Sequence, residues 1–305
     1  MIILMGIPSE TPLRLLAEAC DAKRISYQLF NQRQQENWTV EYDYREIGNS
    51  VLGNGSNKLR LSDCQGLYLR TMEYTLVPEY AHTENKAAIG EMYEQLFQVI
   101  DVEGPCRVIN APSVQMSNNS KPYQSLIIKQ YGLDIPDTCI TSNVDEAMAF
   151  IGKYKAAIYK SISGTRSIVK QVDEAALLNL HKIKYCPVQF QECVTGFNLR
   201  VHVIGQKVIA TKICSDAVDY RYARSEGKTT TLEPYDLSAS LTEKCIALAH
   251  GLQLPFAGID LMITDDGRTI CFEVNPSPGY SYYEQTTGQL ISHALADYLV
   301  SGGQN

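Results

Sequence analysis

Three side chains near the end of the chain carry the chemistry that the sequence suggests. Residues 256–264 and 269–274 are apolar, strand-like runs, and they flank Asp265, Asp266, Gly267 and Arg268. An Asp-Gly pair between β-rich runs is a hairpin signal. Each run holds one carboxylate among apolar neighbours: Asp260 between Ile259 and Leu261, and Glu273 between Phe272 and Val274. A carboxylate in a core strand is costly unless it is paired or binds a metal. Asn275 follows Glu273 by two, so both side chains point to one face of the strand. A tight hairpin can bring Asp260 onto that face as well. Three oxygen donors converging there suit Mg²⁺ held beside phosphates. The plainer alternative is a hairpin with two carboxylates at its solvated rim.

The text around these residues, GIDLM, FEVNPSPGY and YEQTTG, resembles the metal-binding end of the ATP-grasp superfamily. It is most similar to the RimK-like branch, which contains ribosomal-protein glutamate ligases and the macrocyclising ligases of graspetide and microviridin-type peptides. The resemblance runs from about residue 110 to 300. It implies an α/β plus α+β protein with the ATP-grasp fold. An N-terminal α/β domain would occupy residues 1–112. A central lobe at 113–190 and a C-terminal lobe with the metal site at 191–305 would clamp ATP between antiparallel sheets.

The elements that must position these groups can be read in order. Residues 2–5, 11–24 and 25–30 read as strand, helix and strand, a β-α-β opening that suggests a parallel sheet. Residues 38–43 read as strand, 49–57 as a loop or hairpin tip, and 66–70 as a strand ending in Arg70. That Arg70 either touches an acidic substrate or forms a surface ion pair. Residues 83–102 are helical and 107–110 are strand. Asn119 or Ser120 is placed to cap a helix reaching about residue 131, with Pro122 in its first turn. Lys121 therefore sits at a helix N-terminus, where anions are favoured. Residues 138–141 read as strand, 144–153 as helix and 156–162 as a strand carrying Lys160. Ser161, Ser163, Gly164, Thr165 and Arg166 form a small-residue loop after it, suited to covering phosphate. Residues 187–194 form a further strand, 199–204 and 207–213 a hairpin, 237–250 a helix, and 286–300 a single last helix.

The resemblance assigns roles along this path. Lys121 and Lys160 match the family's two ATP lysines, and both are expected on the lobe opposite the metals. Gly164 falls in the phosphate loop. Gln191, Glu192, Cys193 and Val194 match the hinge whose backbone pairs with adenine. Arg200 matches a catalytic arginine, with Asn198 where the family commonly has Asp. Asp219 and Arg221 match an Asp-x-Arg motif, and Arg221 is a candidate clamp for a substrate carboxylate. Asp260, Glu273 and Asn275 would hold one or two Mg²⁺ ions. His202, near Arg200, is either a packed strand histidine or a functional one.

Bulk properties fit such an enzyme. A chain of 305 residues can bury a large core. Apolar residues make up 45% and charged residues 20%, ordinary values for a globular protein. The net charge of −7 and pI of about 5.3 argue against nonspecific nucleic-acid binding. Nine cysteines without a Cys-x-x-Cys pair point to reduced thiols and a cytoplasmic setting. No signal peptide or membrane-length apolar run is present, so no membrane partner is expected. A homodimer is compatible with the chain.

An ATP-dependent carboxylate ligase acting through an acyl phosphate is the leading expectation, with a peptide or protein side chain as substrate. A small-molecule carboxylate–amine ligase and a non-catalytic ATP-binding module are the alternatives. The last should lack a metal ligand or an ATP lysine, and all are present in the sequence.

Overall fold

The computed structural model describes residues 1–80, 84–103, 107–116, 120–162, 169–215 and 229–301. Strand β1 (Ile2–Gly6), helix α1 (Thr11–Lys23) and strand β2 (Tyr27–Asn31) make the expected β-α-β opening. A small antiparallel sheet follows, built from β3 (Trp38–Glu41), β4 (Val51–Asn54) and β5 (Asn57–Arg60). Strand β6 (Gly66–Arg70), helix α2 (Lys86–Glu103), strand β7 (Arg107–Ile109) and the one-turn helix α3 (Pro112–Gln115) complete this part. The main sheet is parallel, in the order β2-β1-β6-β7. It is covered on both faces, which is why β1 is apolar and buried along its whole length. Ile2 and Leu4 pack with Leu13 and Leu16 of α1, whereas Ile3 and Met5 join Tyr93, Leu96 and Ile100 of α2.

Helix α4 (Lys121–Gln130) precedes a second sheet. That sheet contains β8 (Thr138–Thr141), β9 (Ala157–Ser161), β10 (Lys170–Gln171) and β11 (Val188–Glu192), with helices α5 (Val144–Ile151) and α6 (Glu174–Leu178) between them. Its order is β10-β9-β11-β8 and every pairing is antiparallel. Phe190 packs with Ala147 and Phe150 of α5 on one face. Ser120 stands at the N-cap of α4 but its side chain makes no capping bond, and Asn119 lies outside the described residues.

The third sheet has five antiparallel strands in the order β14-β13-β12-β15-β16. They are β12 (Gly196–Ile204), β13 (Lys207–Ser215), β14 (Thr230–Tyr235), β15 (Phe256–Thr264) and β16 (Thr269–Asn275). Helix α7 (Ala239–Gly251) links β14 to β15, and α8 (Ser281–Thr287) and α9 (Ile291–Val300) follow β16. Strict alternation on β12 sends Leu199, Val201 and Val203 to a back-face core with Leu248 of α7. It sends Arg200 and His202 to the front. Fully burying each such apolar side chain contributes roughly 1.5–3 kcal/mol, which fixes the register and with it the front-face pattern.

Three placements differ from expectation. The last helix is two helices, because Gly288 takes the left-handed conformation (φ +72°) and closes α8. The Glu284 carboxylate then accepts from the Ser292 backbone N–H at 2.7 Å and starts α9 anew. Helix α4 packs on the third sheet rather than the second: Ile128 sits in the back-face core, and the Gln124 amide exchanges hydrogen bonds with the Val274 backbone at 2.8 and 2.9 Å. Helix α9 returns to the N-terminal sheet, where Leu295 and Leu299 join Ile2, Leu4 and Leu13. No described helix is long and apolar enough to cross a membrane.

Asn110 locks the first sheet to the third. Its buried amide donates to the Phe256 carbonyl at 2.6 Å and to the Pro276 carbonyl, and its oxygen accepts from the Phe256 N–H at 3.1 Å. Asn110→Ala leaves a buried N–H and two carbonyls without these partners. We expect it to cost roughly 2–4 kcal/mol, read as a lowered urea midpoint with an unchanged slope. An unchanged midpoint would mean that the junction is held elsewhere.

Candidate active site on the third sheet

The sheet register sets four polar side chains in line. Thr211, Arg200, Asp260 and Glu273 are direct cross-strand neighbours on β13, β12, β15 and β16. Directly opposed residues share a face, so all four project to the front. Asn275 is two residues beyond Glu273 and pairs with Gly258, on that same face. The hairpin therefore brings Asp260, Glu273 and Asn275 together, as the spacing predicts. The register shifts by one residue after Asp260, so Leu261 pairs with Cys271. That irregularity lets Cys271 and Val274 both reach the back-face core while Glu273 stays in front.

Arg200 is the most enclosed charged member. Its side chain is 6% exposed and it donates to Asp260 at 2.7 Å, a carboxylate itself only 16% exposed. The guanidinium carbon lies 5.8 Å from the Tyr283 ring centroid. Thr211 donates its hydroxyl to Gln289 at 2.7 Å, and the Gln289 amide donates to the Ala210 carbonyl at 2.9 Å. The α8–α9 connection thus covers the Thr211 and Arg200 end of the row. Asp260, Glu273 and Asn275 remain half-buried at the other end. Two carboxylates and an amide oxygen form a hard-donor set that fits Mg²⁺. Asn275 is already oriented, since its side-chain oxygen accepts from the Ser277 N–H at 2.9 Å. Among the described residues no cluster of three His, Cys, Asp or Glu offers a competing metal site.

The second sheet carries the other candidates. Lys160 on β9 is opposite Gln189 on β11, on the face away from Phe190 and the α5 core. Gln191 lies two pairs further along, on the same face, and its amide donates to the Thr138 hydroxyl at 2.9 Å. At the hinge the Glu192 N–H donates to the Asp137 carbonyl and the Cys193 N–H to the Ala156 carbonyl. Val194 lies beyond the last ladder pair, Glu192 with Ala157. The Glu192 carboxylate accepts from the Asp137 N–H at 3.0 Å and pairs with Arg268 at 3.3 Å. Burial pushes the nearby Cys193 thiol up from its ordinary pKa.

Lys121 corrects an expectation. It opens α4, and α4 is packed on β16, so this lysine is carried by the sheet that holds the carboxylates. Of the two expected ATP lysines, Lys160 is the one on the second sheet. Arg70 forms an ion pair, as one of the two readings expects, with its own side chain 13% exposed and that of Glu10 40%. It donates to Glu10 at 2.7 and 2.9 Å and to Ser277 and Pro278 at 3.3 and 3.2 Å. His202 is a packed residue: it is fully buried between Phe256 and Tyr283. Burial, and then the Arg200 charge, hold its pKa well below the ordinary value, so it is neutral. Gly164, Arg166, Asp219 and Arg221 lie outside the described residues.

Sequence reasoning missed Gly258 and Tyr283, which border Arg200. A Cβ on Gly258 would lie 2.3 Å from an Arg200 terminal nitrogen and 2.6 Å from Pro278. The signal was present: a glycine inside an apolar strand, two residues before Asp260, marks a close approach on that face.

The sequence and the fold resemble those of known proteins. Residues 117–299 match the RimK-like ATP-grasp domain. Tetrahydromethanopterin:alpha-L-glutamate ligase of Methanocaldococcus jannaschii is 25% identical over 63% of this chain and 70% of its own length. Ribosomal protein bS6–L-glutamate ligase of Salmonella paratyphi B is 27% identical over 57% of this chain and 60% of its own. Macrocyclase MdnC of Microcystis aeruginosa, solved with precursor peptide MdnA, superposes with a TM-score of 0.81 at 23% identity, covering 99% of this chain and all of that one. The family match covers more than half of the sequence, and the chain belongs to the RimK-like ATP-grasp family: it is an ATP-grasp ligase.

Proposed function

We propose that this enzyme activates a carboxylate with ATP and joins it to an amine or hydroxyl on a peptide or protein side chain. The observation that carries this reading is the continuous row Arg200–Asp260–Glu273, with Asn275 beside it. A cation and two anions on a rigid sheet are what phosphoryl transfer requires: positioning and charge neutralisation rather than a protein nucleophile. A substrate carboxylate oxygen attacks the γ-phosphorus and ADP leaves. The amine or hydroxyl then attacks the acyl carbon, and inorganic phosphate leaves with the acyl C–O bond broken.

Each residue has a part in this scheme. Asp260, Glu273 and Asn275 would hold one or two Mg²⁺ ions, which would supply charge neutralisation for the phosphates. Arg200 meets the γ-phosphate and then the oxyanion of the second step. Lys160 balances phosphate charge from the second sheet, and Lys121 does so from the α4 N-terminus above β16. Gly164 belongs to the loop over the phosphates. Gln191 orders the hinge through Thr138, and Glu192 and Cys193 use their N–H groups within the protein, which leaves Val194 as the hinge N–H for the adenine. Arg221 grips the substrate carboxylate through its bidentate fork.

A peptide substrate is supported by the full-length likeness to a macrocyclase solved with its precursor peptide. The N-terminal domain is included in that likeness, whereas the two glutamate ligases align with only 63% and 57% of the chain. The second reading, a small-molecule carboxylate–amine ligase, is favoured by the glutamate ligase whose named substrate is tetrahydromethanopterin. ADP release with free amino acids, compared with release on short Thr/Ser/Lys and Glu/Asp-rich peptides, separates the two.

Glu273→Gln should stay folded and lose ADP formation with substrate by about 10²–10³-fold, the scale of one lost electrostatic contact to the transition state. Native turnover in the folded variant would refute the metal assignment. Lys160→Ala should weaken ATP binding by roughly 1–3 kcal/mol in calorimetry. Unchanged affinity places Lys160 outside the pocket. Arg221→Lys keeps the charge without the fork, so ATP affinity should persist while ligation fails. Joint loss of thermal stability and ATP affinity would instead make Arg221 a structural brace.

A further inference from the structure

Arg200 sits in a seat that the metal ligands alone do not provide. One wall is Asp260, bonded at 2.7 Å. A second is the ring of Tyr283 on α8, 5.8 Å from the guanidinium carbon. The third is the bare backbone of Gly258, where a Cβ would stand 2.3 Å from one terminal nitrogen and 2.7 Å from the guanidinium carbon. That same Cβ would meet Pro278, so it cannot be relieved by moving toward β16. Tyr283 is itself fixed, buried against His202 at 5.2 Å between ring centroids. Because His202 is held neutral, the wall behind Tyr283 adds no positive charge against Arg200.

We propose that Gly258 and Tyr283 are positioning residues that set the pose of Arg200 toward the γ-phosphate, an inference that rests on the role given to Arg200 above. The physical reason is the length of an arginine. Its four side-chain torsions can place the guanidinium in many poses, and the bond from one terminal nitrogen to Asp260 does not by itself set the plane of the group. The ring face attracts the cation and restricts its plane. The missing Cβ leaves the space that the second terminal nitrogen occupies beside the strand. Directional contact to a phosphate oxygen then needs no reorganisation at the moment of transfer.

The test uses the full-length protein, Mg²⁺, and two probes, AMPPNP and ADP, with affinities from calorimetry. Only AMPPNP carries a γ-phosphate, so the ratio of the two affinities reads the Arg200 contact. Arg200→Ala should collapse the ratio. Gly258→Ala and Tyr283→Leu should each lower AMPPNP affinity about tenfold and leave ADP affinity unchanged, about one charge-assisted hydrogen bond's worth. Tyr283→Phe, which keeps the ring, should retain the native ratio. In the Arg200→Ala background, Tyr283→Leu and Gly258→Ala should change the ratio no further. If Arg200→Ala lowers the ratio but neither single variant does, the positioning role is overturned and the role of Arg200 stands. If the single variants weaken AMPPNP and ADP equally, or act to the same extent without Arg200, they are packing residues and the proposal fails. If Arg200→Ala leaves the ratio intact, the γ-phosphate role itself fails and takes the seat with it.

Discussion

The ion pair between Arg200 and Asp260 is the constraint on which the rest of the front face depends. Both groups are largely removed from water, and neither could be so alone without a large desolvation cost. A buried pair of this kind is weak as a source of stability, because its attraction only offsets what was lost on leaving water. Its consequence is geometric. With Arg200 on β12 and Asp260 directly opposite on β15, a one-residue slip would send one charge into the apolar back face among Leu199, Val201 and Ile259. The pair and the core therefore enforce the same register, and Glu273 on β16 inherits its place from it.

The segment that follows Asn275 is fixed from a different direction. Asn110 accepts and donates across to Phe256 and Pro276, and Arg70 reaches Ser277 and Pro278 from the end of β6. The N-terminal sheet thus holds the turn immediately after the metal-ligand candidate. Helix α9 adds to this by burying Leu295 and Leu299 in the N-terminal core. The first third of the chain carries no candidate ligand of its own, yet its polar side chains determine where the backbone leaves the site.

Much of this was legible in the sequence, for a physical reason. Alternation is a local property, so Asp260, Glu273 and Asn275 could be put on one face from spacing and a turn signal alone. Arg200 joined them only through long-range pairing, and its place came from resemblance rather than from periodicity. What depends on tertiary packing was misread. The resemblance implies Lys121 on the lobe opposite the carboxylates, but Ile128 and Gln124 attach α4 to the third sheet. The helix expected over 286–300 starts only at Ile291, because Gly288 takes the left-handed conformation and closes the separate helix α8. Arg70 could not be assigned from sequence because its partners, Glu10 and the 277–278 segment, lie far apart along the chain.

The two halves of the candidate site are held in different ways. On the third sheet the polar row is part of an antiparallel ladder, backed by a continuous apolar core, so its side chains are positioned before any ligand arrives. On the second sheet Lys160 lies on β9, next to the two-residue edge strand β10. Among the described residues, Glu192 pairs with Arg268, Thr195 bonds Asp265 through side chain and backbone, and the Asp134 carbonyl accepts from the Cys271 N–H, which ties the segments flanking the second sheet to the third. Arg268 is 42% exposed, so its pairing with Glu192 is screened and worth little. The candidate metal ligands thus stand on the sheet with the larger apolar backing, and Lys160 on the sheet with the smaller one.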